Sequence, residues 1–121
     1  MTGRAPRGPA TCYAGVMAII DDPVLGRFRK ALDQAYGGRI ERVVLYGSRA
    51  RGDSAPGSDY DLAVFLKDLS SFGREARVLA EIETDILLRT GAVVSALPLR
   101  AGSHGARTGL MGELRRDGLD L

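Results

Sequence analysis

A chain of 121 residues, 45% of them hydrophobic, has the size of one domain with a packed core and is too short for a second catalytic lobe. Its 17 basic residues are nearly balanced by 15 acidic ones, so the net charge of +2 is only a weak indication of nucleic-acid binding. We expect any contact with nucleic acid to be indirect. No run approaches the ~18 apolar residues of a membrane-spanning helix, and we expect no membrane partner. The single cysteine, Cys12, excludes an internal disulfide and favours a cytoplasmic location.

The first 20 residues lack an amphipathic period and are interrupted by proline and glycine, which predicts a disordered leader over residues 1–20. The folded domain is predicted to span residues 21–121. Met17 is an alternative start of the protein, because organised sequence begins directly after it.

The rest of the chain alternates helical and strand patterns. Asp22 followed by Pro23 is typical of a helix start, and the glycines at 37–38 end that helix. The runs at 43–46 and 61–66 are apolar on both faces, as in central strands. The predicted elements are, in order, a helix over 23–36, a strand within 39–46, a short helix, a strand over 61–66, a helix over 72–89, a strand over 92–99 and a helix over 110–118. The order α-β-α-β-α-β-α indicates an α/β (α+β) fold.

A candidate phosphate site follows the first strand. Gly47 and Ser48 form a tight turn that leads into a helix start, where backbone N–H groups favour an anion. The Ser48 hydroxyl adds a donor, and Arg49 and Arg51 supply positive charge suited to phosphate oxygens. The sequence therefore predicts a nucleotide-binding cradle made of Gly47, Ser48, Arg49 and Arg51.

Asp59 and Asp61 lie two residues apart at the start of the second strand. Side chains at i and i+2 of a strand point to the same face, so both carboxylates are expected to aim one way. Two such groups repel unless a cation lies between them, and Mg²⁺ takes oxygen ligands from one or two carboxylates and from substrate phosphates. The pair is therefore predicted to be catalytic and metal-binding, with two ions possible. A phosphate cradle facing a metal site predicts nucleotidyl transfer.

Each of these features alone has a simpler interpretation. Residues 57–59 are typical of a hairpin turn, and Arg49 with Asp53 of a surface ion pair. The features favour a functional site because they occur together, in order, between two buried strands. A P-loop is excluded, since no G-K-[ST] occurs anywhere in the chain.

The stretch GSRARGDSAPGSDYDLAVF (47–65) resembles the signature of the DNA polymerase beta-like nucleotidyltransferase superfamily, and in particular its minimal nucleotidyltransferases of the antitoxin type. The resemblance covers residues 22–121 and implies a mixed β-sheet with helices packed on it. Gly47 and Ser48 would then hold the triphosphate of ATP. Asp59 and Asp61 would hold Mg²⁺, and AMP would be transferred. The resemblance also implies a helical partner protein of the HEPN type, with a tyrosine on the partner toxin as the acceptor in some of these antitoxins.

The superfamily pattern includes a third acidic residue, which is not evident in this chain. It is expected on a later strand, where Ser95 stands, and no Asp or Glu occurs from Ile86 through Gly112. Serine cannot replace a carboxylate as a metal ligand or proton acceptor. Three explanations stay open: Asp85 or Glu113 substitutes, two carboxylates suffice for a slow or partner-assisted reaction, or the protein binds nucleotide without transferring it.

Other polar and aromatic residues are interpreted as structural. His104 is expected in a surface loop, Tyr46 in the packing of the sheet, and Tyr60 on the face opposite to the two aspartates. The acidic residues of the 72–89 helix are expected on a solvated face, namely Glu75, Glu81 and Glu83.

We therefore predict an ATP- and Mg²⁺-dependent nucleotidyltransferase that transfers AMP to a partner protein as an antitoxin, in a homo- or hetero-oligomer. The alternative is a catalytically weak or inactive module of the same fold that neutralises its partner by masking it. Transfer to RNA or to an aminoglycoside would require a second recognition domain, for which this chain is too short.

Overall fold

A computed structural model describes residues 22–53, 55 and 57–121, so the predicted leader over 1–20 lies outside the described residues. The helices are α1 (Pro23–Tyr36), α2 (Ser48–Arg51), α3 (Phe72–Thr90) and α4 (Gly109–Asp117), and the strands are β1 (Ile40–Tyr46), β2 (Tyr60–Leu66), β3 (Val94–Arg100) and β4 (Leu119–Asp120). The predicted order is confirmed, with 3₁₀ turns at Gly37–Arg39 and Ser103–Gly105 and the strand β4 as additions. Within the described ranges, no helix combines the length and apolar character of a membrane span.

Local capping sets the ends of α1. The Asp22 carboxylate accepts hydrogen bonds from the N–H groups of Val24 (2.8 Å) and Leu25 (3.3 Å), which have no helical partners in the first turn. The chain leaves α1 at Gly37, whose φ of 56° suits glycine. Apolar side chains at every third or fourth position bury one side of the helix, namely Leu25, Phe28, Leu32 and Tyr36.

The strands form one mixed sheet in the order β3-β2-β1-β4. β1 pairs with β2 and with β4 antiparallel, whereas β2 and β3 are parallel. The middle of β1 and most of β2 are buried on both faces, as their sequences predict. β3 lies at one edge of this sheet. Pro98 has no backbone N–H to donate to a neighbouring strand, and an edge strand tolerates this because one of its sides has no neighbour.

The two faces of the sheet support separate cores. α1 and α3 cover the face to which β1 and β2 contribute Val43, Leu45 and Leu62. α4 covers the other face, where the buried core residues are Val44, Ala63, Phe65, Met111 and Leu114. Because side chains alternate along β2, Asp61 lies on the α4 face, together with Ala63 and Phe65.

Glu75 was predicted on a solvated face, and this prediction is wrong. Its side chain is only 2% exposed, and its carboxylate accepts a hydrogen bond from Nη2 of Arg39 at 3.0 Å. Burial alone would raise the pKa of Glu75, but the hydrogen bond and charge of Arg39 lower it overall. Arg39 ends the 3₁₀ turn that links α1 to β1, so the ion pair joins this connection to the first turn of α3.

Two other polar side chains are less exposed than predicted. Glu83 accepts a hydrogen bond from the backbone N–H of Ala96 at 2.7 Å, so its carboxylate faces β3 rather than solvent. Burial raises the pKa of Glu83. His104 is half-buried and lies edge-on against Phe65, with 5.6 Å between the ring centroids. Both residues make contacts with distant parts of the chain, which a local sequence pattern does not reveal.

Candidate active site

β1 ends in a turn that glycine alone can form. Gly47 has φ 76° and ψ −157°, a backbone region essentially restricted to glycine. A Cβ atom at this position would also lie 2.6 Å from Oδ2 of Asp61. The Gly47 carbonyl accepts hydrogen bonds from the N–H groups of Ala50 and Arg51, both at 3.1 Å, at the start of α2. The turn therefore places the predicted phosphate cradle directly against a predicted catalytic carboxylate.

Three side chains form a row across the sheet beside this turn. In the strand register, Tyr46 is opposite Asp61, and Asp61 is opposite Ser95. Residues in register on neighbouring strands share a face, so all three lie on the face that α4 covers. Ser95 is exposed and stands next to Asp61, where a third acid was expected. β3 therefore supplies no carboxylate at this point.

Asp59 lies just before β2 and is exposed, whereas Asp61 is partly buried. Burial raises the pKa of Asp61, and the charges of Asp59 and Glu113 raise it further, while Arg51 lowers it. The charge of Asp59 thus opposes the ionisation of Asp61. A bound cation would relieve this repulsion.

Glu113 of α4 is a further acid whose charge acts on Asp61. Its carboxylate lies 3.5 Å from Nη1 of Arg51, and its side chain is 31% exposed. Burial raises the pKa of the Tyr46 hydroxyl, and the charges of Asp61 and then Glu113 raise it further. The charge of Glu113 thus acts on both Asp61 and Tyr46, where β3 offers Ser95 and no carboxylate.

Asp85, the other candidate for the third acid, lies elsewhere. It pairs with Arg89 one helical turn along α3 at 2.7 Å, and both side chains are more than half exposed. α3 packs on the face of the sheet opposite to Asp61. Only Glu113 of the two candidates approaches the aspartates.

The two arginines of the predicted cradle differ in their contacts. Arg51 is exposed and makes long ion pairs with Asp53 (3.4 Å) and Glu113 (3.5 Å). Exposed pairs of this kind contribute little stability, so Arg51 can exchange them for phosphate oxygens. Arg49 instead turns toward the loop before β2, where Nε and Nη2 donate to the Ser58 carbonyl at 2.9 and 2.8 Å.

Arg49 also contacts an aromatic ring that the sequence did not connect with the site. Its Cζ lies 3.9 Å from the centroid of the Tyr60 ring. Tyr60 is buried on the face opposite to Asp61, as alternation predicts. No local spacing links Arg49 to Tyr60, and only the pairing of β1 with β2 brings them together.

The donor set fits Mg²⁺ that arrives with a nucleotide. Among the residues that the structure describes, no group of three or more His, Cys, Asp or Glu side chains is placed to hold a metal ion. Asp59 and Asp61 offer two carboxylates, and Mg²⁺ in nucleotide sites is commonly held by one or two, with phosphates and waters completing its octahedron. The residues present are sufficient for that type of site.

Known proteins are similar to this chain in sequence. The family model described as "Polymerase beta, Nucleotidyltransferase" matches residues 30–100, which include both strands of the site. The chain is 31% identical over 77 residues to MJ0604, a candidate protein adenylyltransferase of Methanocaldococcus jannaschii, covering 64% of this chain and 71% of that protein. A second candidate protein adenylyltransferase of this organism, MJ0141, is 29% identical over 63 residues, covering 52% of this chain and 62% of that protein.

Solved structures share the fold. A candidate nucleotidyltransferase from Sulfolobus solfataricus has a TM-score of 0.59 at 16% identity, covering 96% of this chain and 89% of that one. A toxin–antitoxin complex with AMP-PNP has a TM-score of 0.58 at 20% identity, covering 78% of this chain and 69% of that one. At these identities the likeness shows the fold alone. Because the family model matches more than half of its length, the chain belongs to the polymerase beta nucleotidyltransferase family and is a nucleotidyltransferase enzyme.

Proposed function

We propose that this nucleotidyltransferase transfers AMP from ATP to a partner protein, with Mg²⁺ as cofactor, and thereby acts as the antitoxin of a toxin–antitoxin pair. The observation that carries the proposal is the contact of Gly47 with Asp61, which sets a phosphate-binding turn against a carboxylate. The names of MJ0604 and MJ0141 support protein adenylylation, and the toxin–antitoxin complexes of this fold, one of them called MntA-HpeT, support a toxin as partner.

In this proposal the nucleotide lies at the end of β1. Backbone N–H groups of the turn after Gly47 and the hydroxyl of Ser48 bind the triphosphate, and Arg51 neutralises part of its charge. Asp59 and Asp61 hold Mg²⁺, which when bound stabilises the charge that develops on the phosphates and on the leaving pyrophosphate.

The transfer step needs an acceptor for one proton. The acceptor hydroxyl oxygen attacks the α-phosphorus, the bond to pyrophosphate breaks, and the hydroxyl proton passes to a carboxylate. We assign that carboxylate to Glu113, because it is half-buried and its charge acts on Asp61 from α4, the helix that covers the same face of the sheet. Its ion pair with Arg51 links the proton acceptor to the phosphate side of the site.

An exposed apolar surface at the end of α3 and just before β3 favours a protein as the acceptor. Leu88 and Val93, at the end of α3 and just before β3, are 80% and 46% exposed. The Val93 carbonyl accepts the N–H of Tyr60 at 2.9 Å, so Val93 itself lies next to the residue that follows Asp59. A small polar acceptor gains nothing from such a surface, whereas a helical partner of the HEPN type can bury it.

Labelled ATP tests the reaction. The chain and its partner are incubated with Mg²⁺ and ATP labelled at either the α- or the γ-phosphate. We expect label on the partner from α-labelled ATP only, with loss of the signal in Asp61→Asn and no loss in Asp85→Asn. Transfer of γ-label would identify a kinase, and absence of both labels would refute nucleotidyl transfer to this partner.

One observation favours the masking alternative. Ser95 stands where a third acid was expected, and the described residues hold no three-acid metal group. A protein that neutralises by masking would keep its activity in Asp61→Asn and lose it in Leu88→Glu, because the apolar surface would then carry the function. Under AMP transfer, Asp61→Asn abolishes neutralisation while the complex stays intact.

A further inference from the structure

We propose that Arg49 is a positioning residue that fixes the Asp59 carboxylate for the metal, and that it does not itself bind phosphate. The inference rests on the nucleotidyl transfer site proposed above. Arg49 follows the Gly-Ser turn directly and reaches the two residues that flank Asp59. It therefore connects the phosphate side of the site to the metal side.

The guanidinium of Arg49 contacts the chain on both sides of Asp59. Before Asp59, the Ser58 carbonyl accepts two hydrogen bonds, from Nε at 2.9 Å and Nη2 at 2.8 Å. After Asp59, the Tyr60 ring lies against the guanidinium, 3.9 Å from Cζ to the centroid. A residue whose two neighbours are held by one rigid group has little freedom to move its own backbone.

Asp59 needs such support because β2 begins one residue later, at Tyr60. Asp59 is exposed and belongs to the loop between α2 and β2, in which Gly57 has a φ of 85°. Within this loop the Ser58 N–H donates to the Ala55 carbonyl, and the Ala55 N–H donates to the Ser58 hydroxyl, both at 3.0 Å. These bonds close the turn on itself. The two hydrogen bonds from Arg49 to the Ser58 carbonyl join this turn to α2.

The ring that Arg49 contacts is itself held in place. The Tyr60 hydroxyl donates to Oδ2 of Asp22 at 2.8 Å. The other carboxylate oxygen, Oδ1, accepts the N–H of Val24 at 2.8 Å and so caps α1. Asp22 therefore links the start of α1 to the Tyr60 ring, and the ring that Arg49 contacts is held in a fixed position.

Arginine is suited to this task and lysine is not. Its planar fork can donate two parallel hydrogen bonds to one carbonyl while its face stacks on a ring, whereas an ammonium is a point charge. Two of the three nitrogens of Arg49 already donate to Ser58, and Tyr60 covers a face of the guanidinium. This geometry favours a positioning role over a phosphate contact.

Mn²⁺ binding, measured by electron paramagnetic resonance, tests the proposal on the full chain without any transfer reaction. In Arg49→Lys we expect Mn²⁺ affinity to fall about tenfold or more, the range typical of groups that orient metal ligands. ATP binding measured in EDTA should stay at the wild-type value. Arg51→Lys should show the reverse, namely Mn²⁺ affinity as in wild type and weaker ATP binding in EDTA. Arg89→Lys, an exposed arginine of α3, is the matched control and should change neither.

Three results would overturn the proposal in distinguishable ways. Wild-type Mn²⁺ affinity in Arg49→Lys, or ATP binding in EDTA as weak as in Arg51→Lys, would overturn the positioning role alone. A wild-type chain that binds no Mn²⁺, with or without ATP, would overturn the proposed metal site and this inference with it. Thermal unfolding verifies that Arg49→Lys is folded. If Arg49→Lys does not fold, Tyr60→Phe replaces it as the test. This variant loses the hydrogen bond to Asp22, so its Mn²⁺ binding should weaken and its ATP binding in EDTA should stay unchanged.

Discussion

Oδ2 of Asp61 fills the space beside Gly47, so that a Cβ atom at position 47 would lie only 2.6 Å from it. β1 and β2 bring the two residues together, since Asp61 is opposite Tyr46 in the strand register. The Gly-Ser turn and the Asp61 carboxylate are therefore one packed unit. A substitution at either position should therefore displace the other residue.

Gly47→Ala should displace Asp61 and reduce activity. A methyl group at position 47 must push Oδ2 aside, and a misplacement of about 1 Å can lower the rate about 100-fold. The backbone conformation of Gly47 should cost a further ~1–3 kcal/mol of folding free energy in any other residue. Transfer rates and urea unfolding measure the two effects.

Gly52→Ala is the matched control for this substitution. Gly52 also has a positive φ, 82°, but nothing lies within 4 Å of a Cβ atom there. We expect some loss of stability and a transfer rate close to wild type. A Gly47→Ala enzyme with the same activity as Gly52→Ala would show that the Asp61 contact has no functional consequence.

Asp61→Asn should stabilise the fold while abolishing transfer. Burial and the neighbouring acids raise the pKa of Asp61 in the folded chain, so the folded state binds its proton more tightly than the unfolded state does. That stabilisation is complete below the unfolded pKa and is lost as the pH rises through the folded pKa. At pH 7 the ionised carboxylate therefore destabilises the fold.

Thermal unfolding in EDTA measures this effect. At pH 7 we expect Asp61→Asn to gain about 0.5–1 kcal/mol, or roughly 2–8 °C in Tm. The gain should shrink near pH 3, where the wild-type carboxyl is protonated. An asparagine variant that melts below wild type at pH 7 would contradict the crowding of acids at this site.

Glu75→Gln should destabilise the chain in a pH-dependent manner. The pKa of Glu75 is lowered in the folded state, so its contribution is present above the unfolded pKa and is lost as the pH falls through the folded pKa. At pH 7 we expect a loss of about 1–3 kcal/mol, the usual range for a hydrogen bond to a charged group. The difference from wild type in urea unfolding should decrease at pH 3–4.

Glu81→Gln provides the comparison for Glu75→Gln. Glu81 lies on the same helix but is exposed, so its substitution should leave stability within about 0.5 kcal/mol of wild type at both pH values. Equal effects of the two substitutions would contradict the buried ion pair of Glu75 with Arg39.

Glu113→Gln tests the third acid. If Glu113 takes the proton from the acceptor hydroxyl, kcat should fall about 100-fold or more with little change in the KM for ATP. Asp85→Asn, on the outer face of α3, should leave both constants unchanged. A fully active Glu113→Gln enzyme would mean that Asp59 and Asp61 suffice.

The elements with local signals were predictable from sequence. The cap at Asp22 and the stop at Gly37 gave the bounds of α1, and the apolar runs gave β1 and β2. β4 was missed because it has only two residues and exists through its pairing with Val44 and Leu45. Two residues are too few to show the alternation of apolar and polar side chains by which a strand is predicted.

Features of the site were likewise predictable where the sequence signal is local, and not where they depend on contacts between distant residues. The closeness of the Gly-Ser turn to the aspartates was predictable, because the turn follows β1 and the aspartates lie at the start of β2, the next strand along the chain. The burial of Glu75 was not, since its partner Arg39 lies in another element. Only the packing of α4 on the sheet decides between Glu113 and Asp85, and that packing depends on contacts between residues far apart in the chain.

The intact mass of the partner, co-expressed with this chain, tests the central claim most directly. The measurement compares wild type with Asp61→Asn, and Asp85→Asn serves as the control. We expect the partner to gain the mass of one or more AMP groups with wild type and with Asp85→Asn, and to stay unmodified with Asp61→Asn. A partner that co-purifies unmodified with all three chains would contradict AMP transfer to it and favour neutralisation by masking.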